Sequence, residues 1–463
     1  MSIAQQDVTS GRALSEPAST RTDRFRGLPI GLFFLAGTEF WERVSCSGMQ
    51  ALLTLYMVEQ LLLPGHVERV VGFAHFRAIV EAITGPLSPQ ALASQIFGLY
   101  VGLIYLTPVL GGLVGDRLLG RRRTVTLGTL LMTSGHFCMA FDQSFLLALL
   151  LLSLGAGALR GNLASQVGDL YATSDNQREK GFQIYFGLIN AAGFVAPLIT
   201  GVFSQAYGWH YGFGIAGLGM LVGLVLYLSG TKHIPPDSAK RTRAGDSLSA
   251  RERRVVLIML SMLPIFALFW IAQSQVWNTY NLWVRNSVNL VVSGWRMPVA
   301  WLQSFDGFAA VAVVPPILWF WRRQAVRARE PDDFTKLGIG CLLFGLALAW
   351  LAGSQLLATP PIAKVPLVWA LVFHILSSVG YVYFAPTVIA VFSRTAPAQI
   401  NALMIGAYYV SMFIGCTISG RLGGLYERFS NAHFWLLHAA IVASGGALLL
   451  LLAPQLRREL RTE

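Results

Sequence analysis

Apolar residues run along this chain in blocks of about twenty, the length that carries an α-helix across a bilayer core. Twelve such blocks, at roughly 28–62, 90–114, 123–141, 144–171, 180–206, 211–230, 252–283, 298–321, 334–357, 366–393, 398–420 and 432–453, predict twelve membrane-spanning helices. Several exceed a simple span and are expected to tilt. The loops between them alternate in charge. GDRLLGRRR (115–123), SDNQREK (174–180), TKHIPPDSAKRTRAGDSLSARERR (231–254) and WRRQAVRAREPDDFTK (321–336) are basic, whereas the intervening loops hold chiefly Arg69, Arg77, Arg285, Arg296, Lys364, Arg421 and Arg428. By the positive-inside rule the first set, with both termini, is cytoplasmic. Residues 1–27 are polar, with Arg12, Arg21, Arg24 and Arg26, and read as a cytosolic tail, not a signal peptide.

The fifth and eleventh blocks repeat one another. GLINAAGFVAPLITGVFSQAY (187–207) and GAYYVSMFIGCTISGRLGGLY (406–426) superpose without gaps, so that Gly187, Phe194, Ile199, Gly201 and Tyr207 recur as Gly406, Phe413, Ile418, Gly420 and Tyr426. With the helix count this predicts an all-α membrane protein of two six-helix halves in parallel repeat. The expected divisions are a tail (1–27), a first bundle (28–230), a polar linker (231–251), a second bundle (252–453) and a C-terminal tail (454–463).

Composition adds little to this picture. The chain is 54% hydrophobic and 13% charged, and its net charge of +12 follows from the basic loops, so it does not point to nucleic acid. Cys46, Cys138, Cys341 and Cys416 lie in apolar blocks without CxxC spacing or histidine partners, which argues against a disulfide framework or a metal site. His66, His75, His136, His210, His374, His433 and His438 show no shared cluster and read as interfacial or packing residues. No GxSxG, HExxH or paired Asp/His signature occurs in a loop, and the loops are too short for a catalytic domain, so an enzyme is not expected.

Charge inside the apolar blocks does change the picture. TEFWERVSCSG (38–48) places Glu39 and Glu42 on one helical face with Arg43 beside them, and Arg160 supplies a second cation from another helix of the same half. A charge at the bilayer centre costs about 2.5–3.5 kcal/mol even on the lenient insertion scale, so such groups face a wet cavity and pair. The two carboxylates disfavour each other's charge while the arginines favour it. The expectation is that one glutamate binds and releases a proton, and that its protonation frees Arg160 for a substrate carboxylate and shifts the balance of inward-open and outward-open states. A guanidinium does not deprotonate in a protein, so the proton falls to a carboxylate. The alternative is a static ion pair that only fixes helix packing.

Two halves, a central linker and GDRLLGRRR between the second and third helices resemble the major facilitator superfamily. Further segments resemble its proton-dependent oligopeptide transporter family. TEFWERVSCSG is similar to that family's ExxERFxYYG, YLTPVLGGLVGDRLLGRRR (105–123) is close to its usual form, and GAGALRGNLASQVGDLY (155–171) resembles its fourth helix. FQIYFGLINAAG (182–193) and YGWHYGFGIAG (207–217) are similar to its FYxxINxGS region, LQSFDGF (302–308) to QSxNP and MIGAYY (404–409) to MMGxW. The departures are Cys46 and Ser47 for two tyrosines, Arg160 for lysine, Tyr381 for a helix 10 glutamate, and an amide-rich FWIAQSQVWNTYNLW (269–283) where the seventh helix is usually acidic. Bacterial members often carry two extra helices between the halves, for which the linker has no room.

The resemblance implies proton-coupled symport, importing di- or tripeptides or peptide-like molecules by alternating access. Proton coupling is assigned to Glu39, Glu42, Arg43 and Arg160, and substrate binding to Arg43, Tyr105, Arg160, Asn190, Gln275, Asp306, Tyr381 and Tyr408. Asp306 replaces the helix 8 asparagine and is expected to clamp the substrate amine in place of the charge lost at Tyr381, unless it lies near a membrane face and is merely solvated. Gly115, Asp116, Arg117, Gly120 and Arg121 are expected to gate, with Asp116 pairing to a loop arginine or a neighbouring helix end. Pro108, Pro197, Pro264, Pro298 and Pro386 would bend helices, and Trp270, Trp277, Trp283, Trp295 and Trp301 either line the second half's cavity or form an aromatic belt. No cofactor beyond the proton gradient is expected. The expected setting is a multi-pass monomer in the inner or plasma membrane bilayer. A carrier of non-peptide organic anions and a non-transporting sensor are the alternatives.

Overall fold

The computed structural model describes residues 24–25, 27–171, 177–237, 248–357, 364–397 and 399–460. The tail arginines Arg12, Arg21 and Arg26, the start of the SDNQREK loop and the middle of the linker lie outside them. In hydrocarbon each backbone N–H and C=O needs an internal partner, so apolar blocks fold as helices. The elements are α1 (Ile30–Tyr56), α2 (Phe73–Thr84), α3 (Pro89–Arg117), α4 (Arg121–Cys138), α5 (Phe145–Asp169), α6 (Gln177–Tyr207), α7 (Trp209–Gly230), α8 (Ala250–Gln275), α9 (Thr279–Ser287), α10 (Trp301–Ala312), α11 (Val314–Val326), α12 (Asp333–Leu357), α13 (Leu367–Thr395), α14 (Asn401–Gly423) and α15 (Asn431–Glu459). Two strand pairs, β1–β2 (Arg24–Phe25, Leu28–Pro29) and β3–β4 (Val291–Val292, Trp295–Arg296), are short hairpins.

Ten segments among the described residues are long and apolar enough to span a membrane, with α8–α9 and α10–α11 each forming one. α1, which carries Glu39, Glu42 and Arg43, and α4, which opens on three arginines, bring the spans to twelve. Buried apolar side chains gather into two large cores, one built mainly from α1–α7 and the other from α8–α15.

Three features differ from the sequence expectation. The stretch between the first two spans contains a short helix, α2, instead of only loop. The seventh span is broken between Gln275 and Thr279, and its amides satisfy the break: Gln303 Nε2 donates to Val276 O and to Asn281 Oδ1, both at 2.7 Å, and Thr279 Oγ1 donates to Gln275 Oε1 at 2.6 Å. Each such bond matters, since a buried polar group without a partner costs about 1–3 kcal/mol. The eighth span is interrupted at Val313, where Pro315 and Pro316 open α11 without N–H groups to continue α10.

The repeated helices carry the contact between the halves, each gripping the second helix of the opposite six. α14 packs on α3 and α6 packs on α10. Added methyl groups would reach 2.5 Å from Cys416 O at Gly98, 2.9 Å from Ser94 O at Gly420 and 3.0 Å from Ala300 Cβ at Gly201. Gly201 and Gly420 are matched positions of the repeat, so one small-residue device serves both contacts.

Cross-half bonds cluster at the end that bears the β3–β4 hairpin, here the distal end. Arg285 Nε pairs with Glu59 Oε1 at 2.7 Å, Asn278 Nδ2 donates to Ser94 Oγ at 2.6 Å, Thr54 Oγ1 to Asn278 Oδ1 at 3.2 Å and Gln205 Nε2 to Arg296 O at 2.9 Å. Ser88 with Glu427, and Arg421 with the Thr84 carbonyl, add to the seal. The structure is thus closed distally.

Gly98→Ala should loosen this closure, because the methyl meets backbone that cannot yield. Spin labels at the exposed Leu63 and Val292, in a background without native cysteines, should show a longer-distance population in the variant; identical distance distributions would contradict the packing account.

Candidate functional site

Helical spacing brings four stripes to one cavity of about 280 Å³ between the halves. α1 supplies Arg43, Ser47 and Gln50, α3 supplies Phe97, Val101 and Tyr105, α8 supplies Trp270, Gln273 and Ser274, with Trp277 from the break that follows it, and α13 supplies Ser377, Ser378 and Tyr381. The intervals of three, four and seven are one helix face. Asn190 of α6 and Asp306 of α10 complete the polar lining.

The charges of α1 stand at one wall. Glu42 is fully buried, and its Oε1 accepts from Arg160 Nε at 3.1 Å and Nη2 at 3.0 Å. Its Oε2 lies 3.3 Å from Arg43 Nε without making a hydrogen bond. Glu39 is 2% exposed and accepts from Arg43 Nε at 3.1 Å, while its Oε2 is buried without a hydrogen bond. Two carboxylates and two guanidiniums therefore balance, with one oxygen of each acid left short of a donor. Arg43 is 29% exposed and reaches the cavity, whereas Arg160 stands behind the wall and also donates to Cys46 Sγ at 3.0 Å.

Of the residues expected to bind substrate, Arg43, Tyr105, Asn190, Asp306 and Tyr381 line the cavity. Arg160, Gln275 and Tyr408 do not. Gln275 is about 100° round α8 from Ser274, and its Nε2 donates to Ser419 O at 2.8 Å inside the second bundle. Tyr408 is buried among Phe266, Phe392 and Trp270. Asp306 lies on the cavity wall, not at a membrane face, and pairs with His374 Nδ1 at 2.9 Å. Trp270 and Trp277 line the cavity. Trp283 is packed against Trp435 in the second core and Trp295 is exposed in the hairpin.

Gating candidates meet at the linker end. Arg121 bonds Asp116 Oδ1 at 3.0 Å and Asp169 Oδ2 at 2.7 Å, tying α3, α4 and α5 within the first half. Asp116 thus pairs with the first residue of α4, the end of a neighbouring helix. Gly120 has φ +79°, a turn conformation suited to glycine, and Gly115 packs against Asn162, while Arg117 is exposed. Asp237 of the linker accepts from the Arg122 backbone N–H at 3.3 Å, anchoring the linker at the start of α4.

Sequence reasoning missed several groups. Tyr185 of α6, fully buried, lies against Glu39, and buried His136 of α4 is a further titratable group near Glu42. The histidines are not all isolated: His66 Nδ1 and His210 Nε2 lie 2.7 and 3.5 Å from the two oxygens of Asp142, whose Oδ1 also accepts from Tyr56 at 2.7 Å. His374 could have been found, since it extends the stripe of Ser377, Ser378 and Tyr381 by one turn. The His66–Asp142–His210 group joins distant segments and leaves no local signal.

Comparison with known proteins agrees with this architecture. The chain is 26% identical to the "Uncharacterized transporter YclF" of Bacillus subtilis (strain 168), over 94% of this chain and 96% of that one. It is 25% identical to the "Peptide transporter YePEPT" of Yersinia enterocolitica subsp. palearctica serotype O:3 (strain YE-P4), over 93% and 95%. The crystal structure of a peptide transporter POT in complex with sulfate superposes with a TM-score of 0.82 at 25% identity, over 96% of this chain and 98% of that one. The family model PTR2, described as the POT family, matches residues 122–244 and 241–436, most of the length. By that match the chain belongs to the POT family, with the twelve-helix major facilitator fold.

Proposed function

We propose that this POT-family chain couples the import of di- or tripeptides, or closely peptide-like molecules, to proton entry. The observation that carries the reading is the balanced cluster of Glu39, Glu42, Arg43 and Arg160 on one wall of a cavity whose other wall bears Asp306. A peptide is a zwitterion with a carboxylate at one end and an ammonium at the other. Arg43 and Asp306 offer the matching charges across the cavity, and the peptide-transporting relatives support the same substrate class.

In the distally closed state Glu42 holds Arg160 by two hydrogen bonds and stands next to Arg43. A proton on Glu42 removes the anion that Arg160 holds and one of the two that Arg43 faces, leaving the cluster with one positive charge in excess. Arg43, already on the cavity wall, then takes the substrate carboxylate as its anion, so proton and substrate bind favourably together. Loss of the proton restores the Glu42 pairs and expels the carboxylate. Arg160 acts through Glu42 and does not touch substrate. Removing a single charge from the cluster would leave its partner buried and uncompensated, at about 3–5 kcal/mol, which is why the cluster prefers either full pairing or a protonated acid with a bound anion. The proton gradient is the energy source, and no cofactor enters this cycle.

The distal seal is broken and remade as the halves rock about the α3–α14 and α6–α10 contacts. The Arg121 ties stay within one half and keep the linker end of the first bundle a rigid body. Basic residues at the linker end support a cytoplasmic setting for that end and for both termini, in the inner or plasma membrane. The two bundles form one complete cavity, so a monomer suffices.

Glu42→Gln in proteoliposomes should lower pH-gradient-driven accumulation by about tenfold or more while counterflow without a gradient persists; unchanged gradient-driven uptake would leave the cluster a static ion pair. N-acetylated dipeptides should compete about tenfold or more worse than free ones, the value of a charged hydrogen bond of about 1.5–3 kcal/mol, and Asp306→Asn should erase that difference. Indifference to acetylation with sensitivity to C-amidation would instead mark an organic-anion carrier.

A further inference from the structure

The distal seal encloses a second cavity, of about 300 Å³, on the side where α6 meets α10. The first half lends it Leu52 of α1, Glu59 just beyond α1 and Trp209 of α7, and the second half lends Arg285 of α9 with Leu290, Arg296 and Met297 around the β3–β4 hairpin. Its charges are therefore one carboxylate and two guanidiniums. Arg285 Nε is paired with Glu59 Oε1 at 2.7 Å. The Arg296 guanidinium has no partner among the described residues, whereas its backbone carbonyl accepts from Gln205 Nε2 at 2.9 Å across the halves. The β3–β4 pairing and the bond from Met297 N–H to Leu290 O at 2.9 Å hold the hairpin that presents it. Arg296 is exposed, and the side chains of Glu59 and Arg285 are 30% and 37% exposed, so distal solution reaches all three.

One positive charge in excess, set beside apolar wall, suits an anion with an apolar body. A carboxylate or sulfonate would accept from Arg296 and from the N–H groups that Arg285 does not spend on Glu59. Its apolar part would cover Leu52, Trp209, Leu290 and Met297. One feature sets this cavity apart from the one that Arg43 lines: it is built at the distal contact itself, with wall from each half, so its two sides part when the halves open distally. A ligand that binds only one of two states shifts the equilibrium towards that state. We infer that this cavity is a regulatory site for amphipathic anions arriving from the distal solution, which latch the transporter distally closed and so inhibit import. The anion does not compete for the substrate cavity. It withholds carriers at the step that returns them to the distally open state, so excess substrate does not relieve it. The latch depends on the seal alone and acts whatever solute the central cavity carries.

The test adds 3-phenylpropane-1-sulfonate, which stays charged and outside, to the full-length protein. In phosphatidylcholine proteoliposomes, where no anionic headgroup competes, it should lower the maximal rate of dipeptide uptake, and saturating dipeptide should not restore that rate. Arg296→Gln should weaken the inhibition by about tenfold or more, the loss of a charge-assisted hydrogen bond. Arg296→Lys should retain most of it, and the uncharged 3-phenylpropan-1-ol should not inhibit. Calorimetric binding of the sulfonate to protein in phosphatidylcholine nanodiscs should give the same ranking of variants with no transported solute present. Relief by saturating dipeptide would put the anion in the central cavity and overturn the proposal. Absence of inhibition, equal inhibition and binding in Arg296→Gln, or equal potency of the alcohol would overturn it too. If no dipeptide is carried, the peptide reading of the preceding subsection fails, and the binding comparison decides the anion site by itself.

Discussion

A carboxylate with no exposure to solvent, Glu42, sits between two guanidiniums in the middle of a membrane helix, and the rest of the structure is arranged around making that tolerable. Four charges placed singly in lipid would cost several kcal/mol apiece. Brought together they neutralise, but only if α1 and α5 are held close enough for hydrogen bonds near 3 Å. That requirement positions the cavity, since Arg43 is at once part of the neutral cluster and part of the cavity wall. A group serving both can be released from one by a change in the other, and a proton on the acid is the smallest such change. The coupling is therefore electrostatic and local, and the helices transmit its consequence.

Transmission depends on a second, apolar constraint. The halves touch through glycine-lined backbone contacts at symmetry-related places, Gly98 with Gly420 and Gly201 with the start of α10, reinforced at the distal end by Glu59–Arg285 and the amide bonds of Asn278. Close backbone packing gives a contact that is either made or absent, with little between. Polar bonds at the rim can exchange for water when the rim opens, so breaking them leaves few orphaned groups. The amide-rich seventh span serves this seal where an acidic residue would be expected, and the acid of the second half stands on the eighth span as Asp306.

Much of this was legible in the sequence, and the limits have physical causes. Apolar block length and loop charge fix spans and topology because lipid imposes them directly. The α1 motif stood out because charge in an apolar block is costly enough to be informative alone. The repeat of 187–207 and 406–426 marked the helices that join the halves, although not which partners they grip. Helix phase was the first limit: Gln275 and Ser274 are neighbours in sequence, yet one knits the second bundle and the other faces the cavity. Breaks were the second, since Asn278 and Gln303 stabilise an interrupted helix only through partners distant in sequence. Long-range pairing was the third. Asp306 and His374 are 68 positions apart, and although helix phase puts His374 one turn from the cavity stripe of α13, nothing local to either announces their pairing.

The claim on which the rest depends is that substrate and proton move together because they share the Glu42 cluster's charge balance. It is tested most directly by following the internal pH of dye-loaded proteoliposomes, clamped at zero membrane potential, as a dipeptide is added outside. The account requires internal acidification that begins with uptake, scales with it and is absent for peptides that are not transported. Peptide accumulation with no accompanying proton movement would contradict it.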